Sequence, residues 1–114
     1  MKSPITTHIL DTAQGKPAVN VPIALSRFTD ANEWEELGAG RTNDDGRIVD
    51  LLPADGLTPG TYRMHFDTEA YFSAQNQKGF YPFVEVVFSI EATDQHYHVP
   101  LLLNPFGYST YRGS

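Results

Sequence analysis

The chain is predicted to be all-β, a sandwich of seven to eight short strands with one short helix. Three features carry that expectation. Short runs rich in Val, Ile, Thr, Tyr and Phe recur along the sequence, and such runs fit a pleated, half-buried surface. Gly, Pro, Asn and Asp cluster between them at close spacing, the punctuation of tight connections. Only one stretch carries a helix pattern. With 114 residues, one hydrophobic core is expected and not two, hence a single domain over residues 1–114.

The elements follow in order. Ile5 to Thr12 is rich in β-branched residues and ends at Gly15-Lys-Pro17, a turn signal. Val21 to Phe28 is a second strand, and Trp34 to Arg41 a third, weakened by its glycines. Asn43-Asp-Asp-Gly46 reads as a turn, Arg47 to Leu51 as a short strand and Pro53 to Gly60 as a loop. Thr61 to Asp67 alternates strictly, placing Tyr62, Met64 and Phe66 on one face. Asp67 to Asn76 breaks the pattern: a capping residue precedes Glu and Ala, then an apolar pair, which predicts a short helix. Strands resume over Phe83 to Ile90, Gln95 to Leu103 and Tyr108 to Arg112.

Composition removes whole classes of function. The formal net charge is −6 and the basic residues are scattered, which argues against nucleic acid or an anionic membrane as partner. There are no cysteines, so disulfides, thiolate metal sites and a cysteine nucleophile are excluded. No apolar run reaches the length of a membrane span. Met1 to Pro4 leads into strand-like sequence without an apolar leader, which points to the cytoplasm, or to the periplasm if a leader has been removed.

Chemistry must come from other side chains, and the histidines His8, His65, His96 and His98 are the first candidates. In the last long strand, Tyr97, Val99, Leu101 and Leu103 form an apolar face, so His96 and His98 point the opposite way. The first strand is balanced: Ile5, Thr7 and Ile9 alternate against Thr6, His8 and Leu10, and the pattern leaves open which set is core. His65 alternates away from Tyr62, Met64 and Phe66. Taken singly, each histidine is most simply a solvated or hydrogen-bonded side chain, and that reading is kept for His65 and His96.

His8 and His98 stand apart because of the motifs around them. Thr6-Thr-His-Ile-Leu-Asp-Thr12 with Gly15-Lys-Pro-Ala18, the central Arg41-Thr-Asn-Asp-Asp-Gly-Arg47, Phe66-Asp-Thr-Glu-Ala-Tyr-Phe72 and the final stretch His96 to Ser114 occur in this order. Together they resemble the signatures of the 5-hydroxyisourate hydrolases, or transthyretin-related proteins, over nearly the whole chain. The resemblance implies a transthyretin-like β-sandwich acting in uric acid degradation. It would open the six-membered ring of 5-hydroxyisourate, giving 2-oxo-4-hydroxy-4-carboxy-5-ureidoimidazoline, with no cofactor and no metal. It implies His8, Arg47, His98 and Ser114 as catalytic residues. His8, Arg47, Tyr111, Arg112, Gly113 and Ser114 are implied as substrate-binding residues. It also implies a homotetramer, a dimer of dimers, with active sites in the channel between dimers. Transthyretin-type hormone carriers lack the Tyr-Arg-Gly-Ser ending.

These residue types suit the implied reaction. Water must lose a proton as it attacks a carbonyl, and the leaving ring nitrogen must gain one; a histidine with pKa near neutrality serves both tasks. Arg47 would keep a nearby imidazole neutral by like-charge repulsion and donate to the oxyanion that forms. Ser114 is expected to hold a histidine or the water, and Tyr111 to wall the pocket. Which histidine is the base stays open. His98 is read as the partner of Ser114, and His8 as the group nearest the attacked carbonyl. Two other classes compete. One is a zinc site of His8, His96 and His98, with which Arg47 would conflict. The other is a non-catalytic carrier of a small aromatic ligand, in which two histidines and an arginine would be costly.

Overall fold

The computed structural model describes residues 3–53 and 55–113. Along the chain run β1 (Ile5–Asp11), β2 (Lys16–Pro17), β3 (Pro22–Phe28), β4 (Trp34–Arg41), β5 (Arg47–Ile48) and β6 (Gly60–Phe66). There follow α1 (Thr68–Ser73), β7 (Val84–Ile90), β8 (Tyr97–Asn104) and β9 (Gly107–Thr110). The strands form two sheets. One has the order β2-β1-β8-β9, with β5 also paired to β1; the other has the order β4-β3-β6-β7. The expected β-sandwich with one short helix is therefore present, and every expected strand has its counterpart. One piece is additional. Lys16–Pro17, read as part of a turn, pairs antiparallel with Leu10 and Asp11, because Gly15 at φ +67° turns the chain straight back.

The two sheets meet through the alternation seen in the sequence. Tyr62, Met64 and Phe66 are fully buried, facing Ile5, Ile9 and Leu101 of the opposite sheet in one continuous core. The balanced first strand is settled by its partners. Ile5, Thr7, Ile9 and Asp11 face inward, and Thr6, His8 and Leu10 face outward with only Thr6 well covered. Two polar side chains are tolerated inside because each is satisfied. The Thr7 hydroxyl donates to the Val99 carbonyl. Asp11, 1% exposed, accepts from the Ala13 and Gln14 amides at 3.1 Å each and from the Tyr71 hydroxyl at 2.7 Å. Burial, and then the Asp11 bond, push the Tyr71 hydroxyl up to about 12.

The strand expected over Tyr108 to Arg112 ends at Thr110, and two other elements are shorter than the sequence suggests. The strand expected over Arg47 to Leu51 stops at Ile48, because β1 offers partners only at Thr7 and His8. The chain then leaves the sheet, and Leu51 and Leu52 cap the core instead. The helix begins as expected, with the Asp67 side chain accepting from the Ala70 amide at 3.1 Å. Its regular part ends at Ser73, and the Gln77 amide then closes onto the Phe72 carbonyl at 2.9 Å with Asn76 at φ +57°, a left-handed stop. This helix packs at the Asp11 end of β1 through Tyr71, fixing one end of the strand that carries His8.

Candidate active site

Register assembles the site. Strands β1 and β8 run parallel with Thr6 opposite His98 and His8 opposite Pro100. On the other flank of β1, β5 runs antiparallel with Arg47 directly opposite His8. Side chains directly opposed on paired strands sit about 5 Å apart at Cβ, and diagonal neighbours about 7 Å. Arg47, His8, Thr6 and His98 therefore share one outward patch of the sheet, although they are far apart in sequence. Arg47 reaches this position because Asn43-Asp-Asp-Gly46 folds tightly. Gly46 adopts φ +72°, its amide donates to the Asn43 carbonyl at 2.9 Å, and the Asn43 side chain accepts from the Arg47 amide at 3.0 Å. Any side chain at Gly46 would strike the Ile9 carbonyl 2.5 Å away.

The chain's last described residues return to the same patch. An isolated antiparallel bridge joins His98 to Gly113, with the Gly113 amide donating to the His98 carbonyl at 2.8 Å. Gly113 lies so close that a Cβ there would meet the imidazole Cδ2 of His98 at 2.6 Å. On the ring's other side, His98 Nδ1 is hydrogen-bonded to Thr6 Oγ1 at 2.8 Å. The same oxygen contacts His96 Nε2 at 2.9 Å. The His98 ring thus lies between Thr6 on its Nδ1 edge and Gly113 on its Cδ2 edge.

The electrostatics favour neutral imidazoles. Burial first, and the Arg47 charge second, lower the pKa of both His8 and His98 below the usual 6.5. His8 and His96 add further repulsion at His98, while the backbone and the charge of Asp45 pull His8 the other way. The result is a patch with two neutral bases beside a fixed cation that stays exposed to donate.

His8, Arg47, His98 and Gly113 are brought together. Tyr111 is 58% exposed and stands with His98 and Arg112 at the rim of an apolar cavity of about 260 Å³ between β7 and the β8–β9 pair. Arg112 is engaged elsewhere: its guanidinium lies 4.6 Å above the Tyr97 ring and donates to Gln95 Oε1 at 2.8 Å. Ser114 lies outside the described residues. His65, expected to be solvated or hydrogen-bonded, stacks on Phe83 at 4.9 Å and bonds Glu85 at 2.9 Å on the other sheet. Among the described residues no group of three or more His, Asp or Glu could hold a metal ion, and the facing nitrogens of His96 and His98 are both engaged by Thr6. Thr6 is not singled out by the sequence, and His96, expected to be solvated or hydrogen-bonded, is hydrogen-bonded to Thr6. The available signal was spacing: Thr6 is two residues before His8, and His96 two before His98, so each pair shares a strand face.

Comparison with known proteins bears directly on this patch. The family model described as HIUase/Transthyretin family matches residues 5–113, which takes in each of the described site residues. The chain belongs to the HIUase/transthyretin family. A 5-hydroxyisourate hydrolase of Mus musculus is 51% identical over 98% of this chain and 96% of its own length. One from Salmonella dublin is 47% identical over 96% of this chain and 80% of its own. Among solved structures, sea bream transthyretin in complex with thyroxine superposes with a TM-score of 0.92 at 35% identity, covering 96% of this chain and 94% of that one. The family thus includes both hydrolases and a thyroxine-bound transthyretin.

Proposed function

We propose that this protein is a 5-hydroxyisourate hydrolase, acting in urate degradation. The observation that carries the reading is the juxtaposition of His8, Arg47 and His98 on one face, set by the registers of β5 and β8 on β1. In this reading a neutral imidazole takes a proton from water as the oxygen attacks a carbonyl of the cyclic amide. Arg47 donates to the oxygen that becomes negatively charged. The carbon–nitrogen bond then breaks, and the imidazolium returns its proton to the leaving ring nitrogen, so the imidazole is restored, and the carboxylic acid formed releases its proton to solvent. Gly113 allows the tail to approach His98, and Tyr111, Arg112 and Ser114 extend the wall of the site; for Ser114 the support is the resemblance alone.

The patch is open on a sheet face, so water exclusion calls for a second surface. A homotetramer built as a dimer of dimers supplies it. Support comes from the sandwich edges: β7 and β9 are both edge strands, they flank the same apolar cavity, and Phe80 and Phe106 are more than two-thirds exposed. Unpaired edges next to apolar surface favour pairing with another copy.

The carrier reading is favoured by one finding, the thyroxine-bound sea bream structure. Freshly made 5-hydroxyisourate followed by ultraviolet absorbance separates the two. Accelerated decay with turnover well above one per site supports the hydrolase. Stoichiometric binding with no acceleration would replace it with the carrier.

A further inference from the structure

We propose that Thr6 and His96 form a positioning pair that fixes the tautomer of His98 and leaves His98 Nε2 as the atom that exchanges protons with water and substrate. The inference rests on the hydrolase reading for its chemistry and on two hydrogen bonds for its geometry. Thr6 Oγ1 lies 2.8 Å from His98 Nδ1 and 2.9 Å from His96 Nε2. Thr6 is 7% exposed, so no bulk water competes freely for its hydroxyl.

A hydroxyl has one proton to give. Set between two ring nitrogens, it can donate to only one of them, and it uses its proton in that pair only when it donates to one and accepts from the other. If Thr6 donated to His98 Nδ1, the neutral His98 would carry its proton on Nε2 and have no lone pair to act as a base. If His98 Nδ1–H donates to Thr6 and Thr6 donates to His96 Nε2, Nε2 of His98 is bare. Only the second arrangement survives when His98 takes up a proton, because the imidazolium carries hydrogen on both nitrogens. The hydroxyl then needs no reorientation during the reaction, which lowers the cost of moving charge onto the ring. His96 is exposed, so its other nitrogen can exchange a proton with solvent while Nε2 accepts from Thr6.

The opposite edge of the ring reinforces the assignment. Gly113 leaves no room for a side chain beside Cδ2, and the ring cannot turn over to present Nδ1 outward without losing Thr6. His98 is therefore fixed in both orientation and tautomer, and the Thr6–His96 pair acts through it without touching substrate.

The test combines long-range proton–nitrogen NMR correlation on uniformly ¹⁵N-labelled protein with steady-state kinetics. Wild-type His98 is expected to carry its proton on Nδ1, and His96 to show a bare Nε2. In Thr6→Val, the His98 tautomer should shift toward Nε2–H and kcat should fall on the order of 10- to 100-fold, the worth of one orienting hydrogen bond to a group that becomes charged. KM should change by less than about threefold, since ground-state binding is not the interaction removed. Thr6→Ser should restore both tautomer and kcat. Because Thr6 is buried, His96→Phe provides a second variant on an exposed side chain; removing the acceptor should move the His98 tautomer in the same direction. A wild-type His98 with hydrogen on Nε2, or a Thr6→Val protein with unchanged tautomer and kcat, overturns the proposal. Absence of hydrolysis by the wild-type protein would instead remove the hydrolase reading, while the NMR measurement still decides the tautomer.

Discussion

At the scale of single residues, Arg47 and Gly113 have effects that can be separated. Arg47 is the second cause, after burial, of the lowered pKa of both His8 and His98. In Arg47→Gln both histidines should titrate at higher pH than in the wild type, moving back toward 6.5 while burial still holds them down. Following their imidazole Cε1 protons by NMR across pH checks this without needing activity. Unmoved midpoints would mean that Arg47 is too well solvated to act on them. In the wild type, folding favours the neutral rings. Their contribution to stability is therefore present above pH 6.5 and is lost as the pH falls through the lowered pKa values. Gly113 acts through shape. Gly113→Ala puts a methyl 2.6 Å from His98 Cδ2 and 3.2 Å from Pro100 Cγ, so the ring, held on its other edge by Thr6, is forced out of its place. A fall in kcat on the order of 10²-fold is expected with the fold intact, the cost of a roughly 1 Å misplacement of a reacting group. Near-normal turnover in that variant would show that the tail yields and the ring does not.

At the scale of elements, β1 is the strand on which everything is mounted, and its far end is fixed by α1. The Tyr71 hydroxyl donates to Asp11 Oδ2 at 2.7 Å, and Asp11 also closes the turn into β2 by accepting from Ala13 and Gln14. Tyr71→Phe leaves a buried carboxylate with one donor fewer, which is expected to cost about 1–3 kcal/mol by urea unfolding. The same contact predicts an alkaline transition. A tyrosine held near 12 against an ordinary value of 10 stabilises the fold fully below pH 10, and this contribution is lost as the pH rises toward 12. Tyr71→Phe should lack that component of the alkaline unfolding curve; an identical pH dependence in both proteins would rule out Tyr71 as its source. The glycines of β4, which weaken it as a strand in sequence, have a structural reason. A Cβ at Gly38 would collide with the Leu51 carbonyl, and one at Gly40 would meet Ile48 Cδ1 at 2.5 Å. The chain leaving β5 passes directly over this strand.

At the scale of the whole molecule, the tail belongs to the site and to the sandwich edge at once. Gly113 bridges His98, while Tyr111 and Arg112 line the apolar cavity beside β7. Deleting residues 111–114 should leave the sandwich folded, since Val99, Leu101 and Leu103 are buried upstream of the cut. Hydrolysis should fall sharply, and loss of one large aromatic at the edge should weaken association as well. Circular dichroism, sedimentation velocity and the absorbance assay read the three effects separately. A truncated protein that remains assembled and fully active would show the tail to be an ordinary terminus.

The sequence by itself determined the sandwich, its strands, its single helix and the outward direction of His98, because strict alternation in β6 and the apolar set Tyr97, Val99, Leu101 and Leu103 in β8 mark one face of each as core. It also supplied the motifs that single out His8, Arg47 and Gly113. Tertiary structure decided what no local pattern encodes. The balanced strand around His8 acquired an inside and an outside only when Thr7 and Asp11 found buried partners, since a polar side chain is tolerated in a core only if its hydrogen bonds are made. Lys16–Pro17 became a strand because Leu10 and Asp11 were there to pair with it. Thr6 acquired a role because parallel pairing of β1 with β8 set one hydroxyl between two imidazoles. Register across strands distant in sequence is fixed by the packing of the whole sandwich, and that packing turns separate residues into a site.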